Sequence, residues 1–202
     1  MLTKKHYAVL AFSALYLLIG GWYFWRDLNS EFVIYIGVIA VLLGGVFATL
    51  SYTRFPVWML SAFSFWGLLH VLGGAVVIGD HVLFAHRIYP FLDMGGDFYI
   101  LKYDQVVHFY LYGLVAVMTF HLLRQHLAKT GHRRLLALVA ILTAVGVSAL
   151  NEIMEFLISL KMENGVGGYD NTMLDIIANL LGAIVAVVIY LAVVDRKFET
   201  RN

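Results

Sequence analysis

Apolar residues run along the chain in long blocks, broken by short polar connections. Six blocks are long enough to count as membrane spans, at about 7–25, 31–50, 56–79, 104–123, 135–158 and 172–194. About 20 apolar residues in helical form cross the hydrocarbon core of a bilayer. The blocks leave little chain for anything else. The pattern predicts an all-α polytopic membrane protein, a bundle of six transmembrane helices with no β-structure of consequence, in one integral membrane domain over 1–202. Pro56 suits the first turn of the third helix. Trp22, Trp25 and Trp58 lie near span ends, where an aromatic belt is expected. The first block follows Lys4 and Lys5 but is long for a signal peptide and has no small-residue cleavage site, so it reads as an uncleaved span.

Composition agrees. Of 202 residues, 61% are hydrophobic and 13% charged, with mean hydropathy +0.83, too little charge to cover a soluble domain. No basic stripe or nucleic-acid motif is present, which argues against a nucleic-acid partner. Cysteine is absent, which excludes disulfides and thiolate ligands. With six spans both termini share one side. That side carries Lys4, Lys5, Arg54, Arg124, Lys129, Arg133, Arg134, Arg196, Lys197 and Arg201, against Arg26, Arg87, Lys102 and Lys161 on the other. Positive-inside then predicts cytoplasmic termini. The longest outer loop, about 80–103, carries Asp80, His81, His86, Asp93 and Asp97, with Gly95-Gly96 as a turn. A second outer segment, Asn164 to Asp170, is rich in glycine.

Ionisable groups inside spans are costly and call for individual explanations. Asp104 and His108 lie on the fourth span at i,i+4. Glu152 and Glu155 lie on the fifth at i,i+3, and Asp175 and Asn179 on the sixth at i,i+4. Each pair therefore shares a helix face. The topology puts all of them in the outer half of the bilayer, with His70 of the third span deepest. Two carboxylates one turn apart in an apolar helix repel unless protonated or neutralised. The nearby bases Lys102, Lys161 and Arg87 are expected in loops. Either some carboxylates hold protons or a divalent cation sits among them. The O/N donor set, with His70, Asp104, His108, Glu152, Glu155 and Asp175 as candidate ligands, suits zinc, manganese or iron. Glu152, Glu155 and Asp175 are the candidate catalytic acids and bases.

Asp170, Asn171 and Asn179 are candidate substrate-binding groups. Plainer roles are open: Asp170 or Asn171 as cap of the last helix, Asp104 as the cap of its own, and Asn179 as a bond to a neighbouring helix. Gly73, Gly74, Gly182 and Ala183 fit close helix packing. Ser148 lies one turn before Glu152 but in no recognisable nucleophile elbow, and no P-loop or H-E-x-x-H is present.

His70-x-x-Gly73-Gly74, Lys102-Tyr103-Asp104-x-x-x-His108, Glu152-x-x-Glu155-Phe156 and Asp170-Asn171 with Asp175-x-x-x-Asn179-x-x-Gly182 resemble the YjdF-like family of bacterial inner-membrane proteins, over about 60–190. The later half also resembles the VanZ-like family, which is associated with glycopeptide resistance. That pattern has Gln where Glu155 stands, and an Arg ahead of its last helix, where this chain has Gly168 and Tyr169. The resemblance implies a bacterial inner-membrane location and hints at envelope chemistry. Three readings follow: a metal-dependent enzyme on a lipid or lipid-linked envelope substrate, a proton- or ion-coupled transporter, and a non-catalytic binder whose acidic, His-bearing outer loop docks a partner.

Overall fold

The computed structural model describes residues 3–96, 98–127, 132–160 and 168–194. Its helices are α1 (Lys4–Arg26), α2 (Ser30–Ala48), a one-turn α3 (Leu50–Thr53), α4 (Val57–Ala75), α5 (Tyr103–Leu127), α6 (Arg133–Ser159) and α7 (Tyr169–Ile189). All but α3 are long and apolar enough to cross a membrane. Local chemistry sets their ends. Thr3 and His6 form a reciprocal capping box on α1, and the Asn29 side chain accepts from the Phe32 N–H at 3.3 Å to cap α2. Pro56 precedes α4. The last span continues past Ile189 as a π-helical turn, Tyr190–Val194.

Two features differ from the pattern-based expectation. The third span stops at Ala75 instead of running to 79: Val76 is already extended, and the chain enters a hairpin that turns at Gly79 with φ +66°. The loop that follows is not free of β-structure. Strands β1 (Val77–Ile78) and β2 (His81–Val82) form a small antiparallel hairpin, and β3 (Arg87–Gly95) pairs with β4 (Phe98–Lys102) in a larger one. Gly95 and Gly96, with φ +90° and +56°, make the second turn in a backbone region that suits glycine. The glycine-rich outer segment 161–167 lies outside the described residues, as do Asp97, Lys129 and the chain from 195.

The hairpins bridge α4 and α5, so they mark one end of the bundle. The start of α2, the end of α6 and the start of α7 meet at the same end. Tyrosine hydroxyls tie the helices together across the apolar interior: Tyr16 donates to the Ser64 carbonyl, Tyr103 to Leu69 and Tyr110 to Ala62, at 2.9–3.0 Å. At the opposite end Gln125 of α5 donates to the Thr53 carbonyl at 2.8 Å.

Helices α5 and α7 form the most extensive pair. They cross where Gly113 meets Gly182. A Cβ on Gly113 would stand 2.9 Å from the Gly182 carbonyl oxygen, and a Cβ on Gly182 would overlap the Phe109 carbonyl. This close approach sets the spacing between His108 and Asn179, which lie five and three residues before the crossing glycines of their helices. Gly182→Ala is therefore expected to force the pair apart and destabilise the fold by about 1–3 kcal/mol. The check is the thermal midpoint of purified protein in detergent; an unchanged midpoint would mean that the crossing has slack.

Candidate functional site

The strand–helix junction positions the site. Gln105 is buried; its Oε1 accepts from the Lys102 N–H at 3.1 Å and its Nε2 donates to the Tyr99 carbonyl at 2.9 Å. This staple fixes the end of β4 against the first turn of α5. Lys102 thus points inward from the strand and Asp104 begins the helix.

Lys102, expected in a loop, is instead the last residue of β4. It is only 8% exposed, and its Nζ donates to Asn171 Oδ1 at 2.8 Å. Asn171 passes the contact on: its Nδ2 donates to Asp175 Oδ2 at 2.7 Å. A cation from the hairpin is therefore linked to a carboxylate of α7 through one amide. Lys161 lies outside the described residues, and Arg87 stays with the hairpin, donating to the Gly96 carbonyl at 2.7 Å. Asn171 was also a candidate helix cap. Gly168 takes that position instead, because the Asn171 amide is held by Lys102 and Asp175.

Facing this chain is His108. Its Nδ1 lies 3.1 Å from Asn179 Oδ1, an acceptor, so Nδ1 carries the proton in this bond. Its Nε2 lies 3.6 Å from Asp104 Oδ1, the distance of an ion pair when the ring is protonated. Glu152 Oε1 approaches His108 Nδ1 at 3.6 Å from α6. Asp104, His108 and Asp175 each offer one ligand atom, and these atoms lie within 4.8 Å of one another. Three helices thus bring Asp104, His108, Glu152 and Asp175 to one place.

Three buried atoms there have no hydrogen-bond partner among the described residues: Glu152 Oε1, Asp175 Oδ1 and Asn179 Nδ2. Their residues are 7%, 1% and 0% exposed. Leaving a buried polar atom unpaired costs about 1–3 kcal/mol, more if it is charged. Two of the three are carboxylate oxygens, the donor type that a divalent cation takes.

A cavity of about 390 Å³ lies beside the group, with Asp104, His108, Lys102 and Asn171 in its wall. Glu155 lines it too, its Oε1 accepting from Asn151 Nδ2 at 2.7 Å. His70 lines the same cavity in an aromatic setting, its ring 4.9 Å from Phe84, 5.6 Å from Tyr35 and 5.8 Å from Trp66. No His70 atom is in the three-residue group. Asp170 is exposed in the first turn of α7, whereas Asn171 lines the cavity and Asn179 lies fully buried against His108. Ser148 is also fully buried and donates to the Val145 carbonyl at 2.9 Å.

The sequence reading did not single out Asn151, which bonds to Glu155, or the α2 residues Glu31 and Tyr35, which line the cavity. Asn151 carried a usable signal, since it stands one turn before Glu155. Glu31 and Tyr35 carried none, because nothing local relates α2 to the acidic helices. At the mouth His81 bonds to Asp80 at 2.7 Å, which holds the Asp80 carboxyl below the ordinary range.

The buried cation yields a test. Lys102→Met strands the Asn171–Asp175 pair and is expected to destabilise by on the order of 3 kcal/mol. Adding Asp175→Asn should recover part of that loss. Denaturation of both single variants and the double reads the coupling; strictly additive effects would show that Lys102 does not neutralise Asp175.

No curated protein and no solved structure matches this chain. A family model does match, over residues 7–196, nearly the full length and all six spans. The chain therefore belongs to the family described as "Predicted membrane protein (DUF2238)".

Proposed function

We propose that this membrane protein is a metal-dependent enzyme that acts on a lipid or lipid-linked envelope substrate at the extracytoplasmic face. The observation that carries the reading is the pair of carboxylate oxygens on Glu152 and Asp175 that lack a hydrogen bond among the described residues, buried beside the Asp104–His108–Asp175 group and next to an open cavity. A zinc, manganese or iron ion would take Asp104, the His108 Nε2 and Asp175 as ligands, with Glu152 within reach. Bond lengths of about 2.0–2.2 Å put ligands of one such ion roughly 3–4 Å apart. The three candidate atoms lie within 4.8 Å of one another, so small side-chain adjustments would bring them to one ion.

The second layer of contacts fits the same reading. Asn179 fixes the His108 tautomer, and Asn171 orients Asp175. Partners of this kind accompany most metal-ligating histidines. A bound cation would activate water and offset charge on a phosphate or ester. Glu155 faces the cavity and is the general base in this scheme, with its carboxylate steadied by Asn151. Glu152 and Asp175 hold charge beneath it.

Orientation follows the basic residues. Lys4, Lys5, Arg54, Arg124, Arg133 and Arg134 stand at the end away from the hairpins; Arg26, Arg87 and Lys102 stand at the hairpin end. This bias supports a cytoplasmic location for both termini and an outward cavity. The YjdF-like and VanZ-like resemblance supports a bacterial inner membrane and an envelope substrate. A transporter is the weaker reading. Met59, Leu60, Ala116, Phe120 and Val187, at 0–1% exposure, pack the half of the bundle away from the hairpins. A carrier needs a polar path there.

Inductively coupled plasma mass spectrometry of the detergent-purified protein is expected to find near-stoichiometric zinc, manganese or iron, lost in a folded His108→Ala/Glu152→Ala variant. Absence of metal in the unaltered protein, even after incubation with each ion, would overturn the reading. Asn179→Leu should keep the ligands and weaken metal affinity about 10–100-fold, as titration with a competing chelator would read. Unchanged affinity would remove Asn179 from the site.

A further inference from the structure

The hairpin β3–β4 carries a large apolar surface that the bundle does not cover. Every residue of β3 is exposed. Among them Phe91 and Met94 are each 70% exposed, Tyr89 57%, Ile88 47% and Leu92 46%. The partner strand behaves oppositely: Tyr99 and Lys102 are buried against the bundle. One strand therefore docks the hairpin, and the other is turned away from the protein with its apolar side chains unpaired.

The backbone is built for this. Arg87 pairs with Lys102 and Leu92 with Ile100, so the four residues Ile88, Tyr89, Pro90 and Phe91 stand opposite Leu101 alone. The ladder is broken by a large bulge, and Pro90 has no N–H to return to it. Bulges of this kind redirect side chains and recur next to functional sites. Here the bulge lifts the Tyr89 and Phe91 rings, 4.9 Å apart in an edge-on pair, away from β4. The hairpin itself is held closed: the Arg87 guanidinium sits 4.7 Å over the Tyr99 ring and bonds to Gly96. The exposed strand is not a frayed end.

Its place in the fold names its occupant. The two hairpins and the short turn between them are the whole connection between α4 and α5, both membrane spans. The strand therefore lies at the bilayer boundary. Exposed aromatics of other elements mark the same end: Trp22 at 64% and Trp25 at 71% close α1, and Tyr169 at 78% opens α7. Aromatic side chains collect at the headgroup level of membranes.

We infer that the Ile88–Met94 segment is an interfacial anchor, inserted among the lipid headgroups and upper acyl chains of the leaflet at the hairpin end. This does not depend on the metal. Its consequence for the cavity is positional. Arg87 and Lys102 begin and end the hairpin, and both line the cavity. Anchoring β3 holds the cavity wall at the depth of lipid headgroups, so a lipid substrate need not leave the bilayer to reach it.

The chain has no cysteine, so single nitroxide labels can be attached at will. The full protein with Phe91→Cys, Met94→Cys or Asp80→Cys would be labelled, reconstituted in phosphatidylcholine–phosphatidylglycerol liposomes and read by power-saturation electron paramagnetic resonance. Asp80, with a side chain 96% exposed on the β1–β2 turn, is the aqueous reference. Collision with oxygen, relative to a water-soluble nickel chelate, is expected to be several-fold higher at 91 and 94 than at 80. Nickel access at 91 and 94 equal to that at 80 would overturn the inference. So would labels shielded from both reagents and broadened by neighbouring spins, which would mean that a second copy covers the strand. If Phe91→Cys fails to fold, Tyr89→Cys on the same bulge reads the same outcome.

Discussion

Neutralising acid inside the membrane is the constraint on which the rest of this structure depends. Asp104, Glu152, Glu155 and Asp175 lie on three apolar helices, and insertion scales put Asp at a helix centre at roughly 2.5–3.5 kcal/mol. The protein lowers that cost in two ways. It keeps all four carboxylates near one end of the bundle. It also brings a lysine to them from outside the helices. Lys102 is the last residue of β4, so its backbone belongs to the hairpin while its ammonium reaches Asn171 and, through it, Asp175. A lysine on a neighbouring span would have added its own insertion cost. A long flexible stem at the membrane boundary avoids this.

That solution explains why the connection between α4 and α5 is folded at all. A lysine in a plain loop would have many conformations, and ordering it would cost entropy. The hairpin, the Gln105 staple and the Arg87–Tyr99 stack remove that freedom before Lys102 meets its partner. The loop that confines the lysine also confines the cavity wall.

Much of this was legible in the sequence. The six spans follow from apolar length, and the acid and histidine pairs share helix faces because 3.6 residues make a turn. Depth followed from alternating span direction, which is why Asp104, Glu152 and Asp175 were expected together. What was not legible is long-range. Lys102 and Asn171 are 69 residues apart, and no local pattern distinguishes a lysine that turns inward from one that stays in water. The hairpin was hidden for another reason. A half-buried strand announces itself by alternation, but β3 carries an unbroken apolar run from Ile88 to Leu92 and its register is broken by the bulge, so it reads as loop. The cap of α7 was misjudged because asparagine at a helix start ordinarily bonds to backbone; here a buried ammonium and a carboxylate compete for the same amide and win.

The direction of the amides separates a structural network from a functional one. Asn171 has its carbonyl on a donor and its NH₂ on an acceptor, so both ends are satisfied and its orientation is forced. Asn179 has its carbonyl on His108 and its NH₂ on nothing described. Asp175 is likewise half satisfied: Oδ2 is taken by Asn171, and Oδ1 is left over. A network that served stability alone would close on itself, because each buried unpaired atom lowers stability. This one closes on its Lys102 side and stays open on its His108 side, where Glu152 Oε1 is also unpartnered. The open atoms are two carboxyl oxygens and one amide donor, beside the His108 ring. Under the proposed reading the carboxyl oxygens would hold a cation, and the Asn179 amide would be available to a water or substrate oxygen. A docking partner at the surface has no use for atoms so deep.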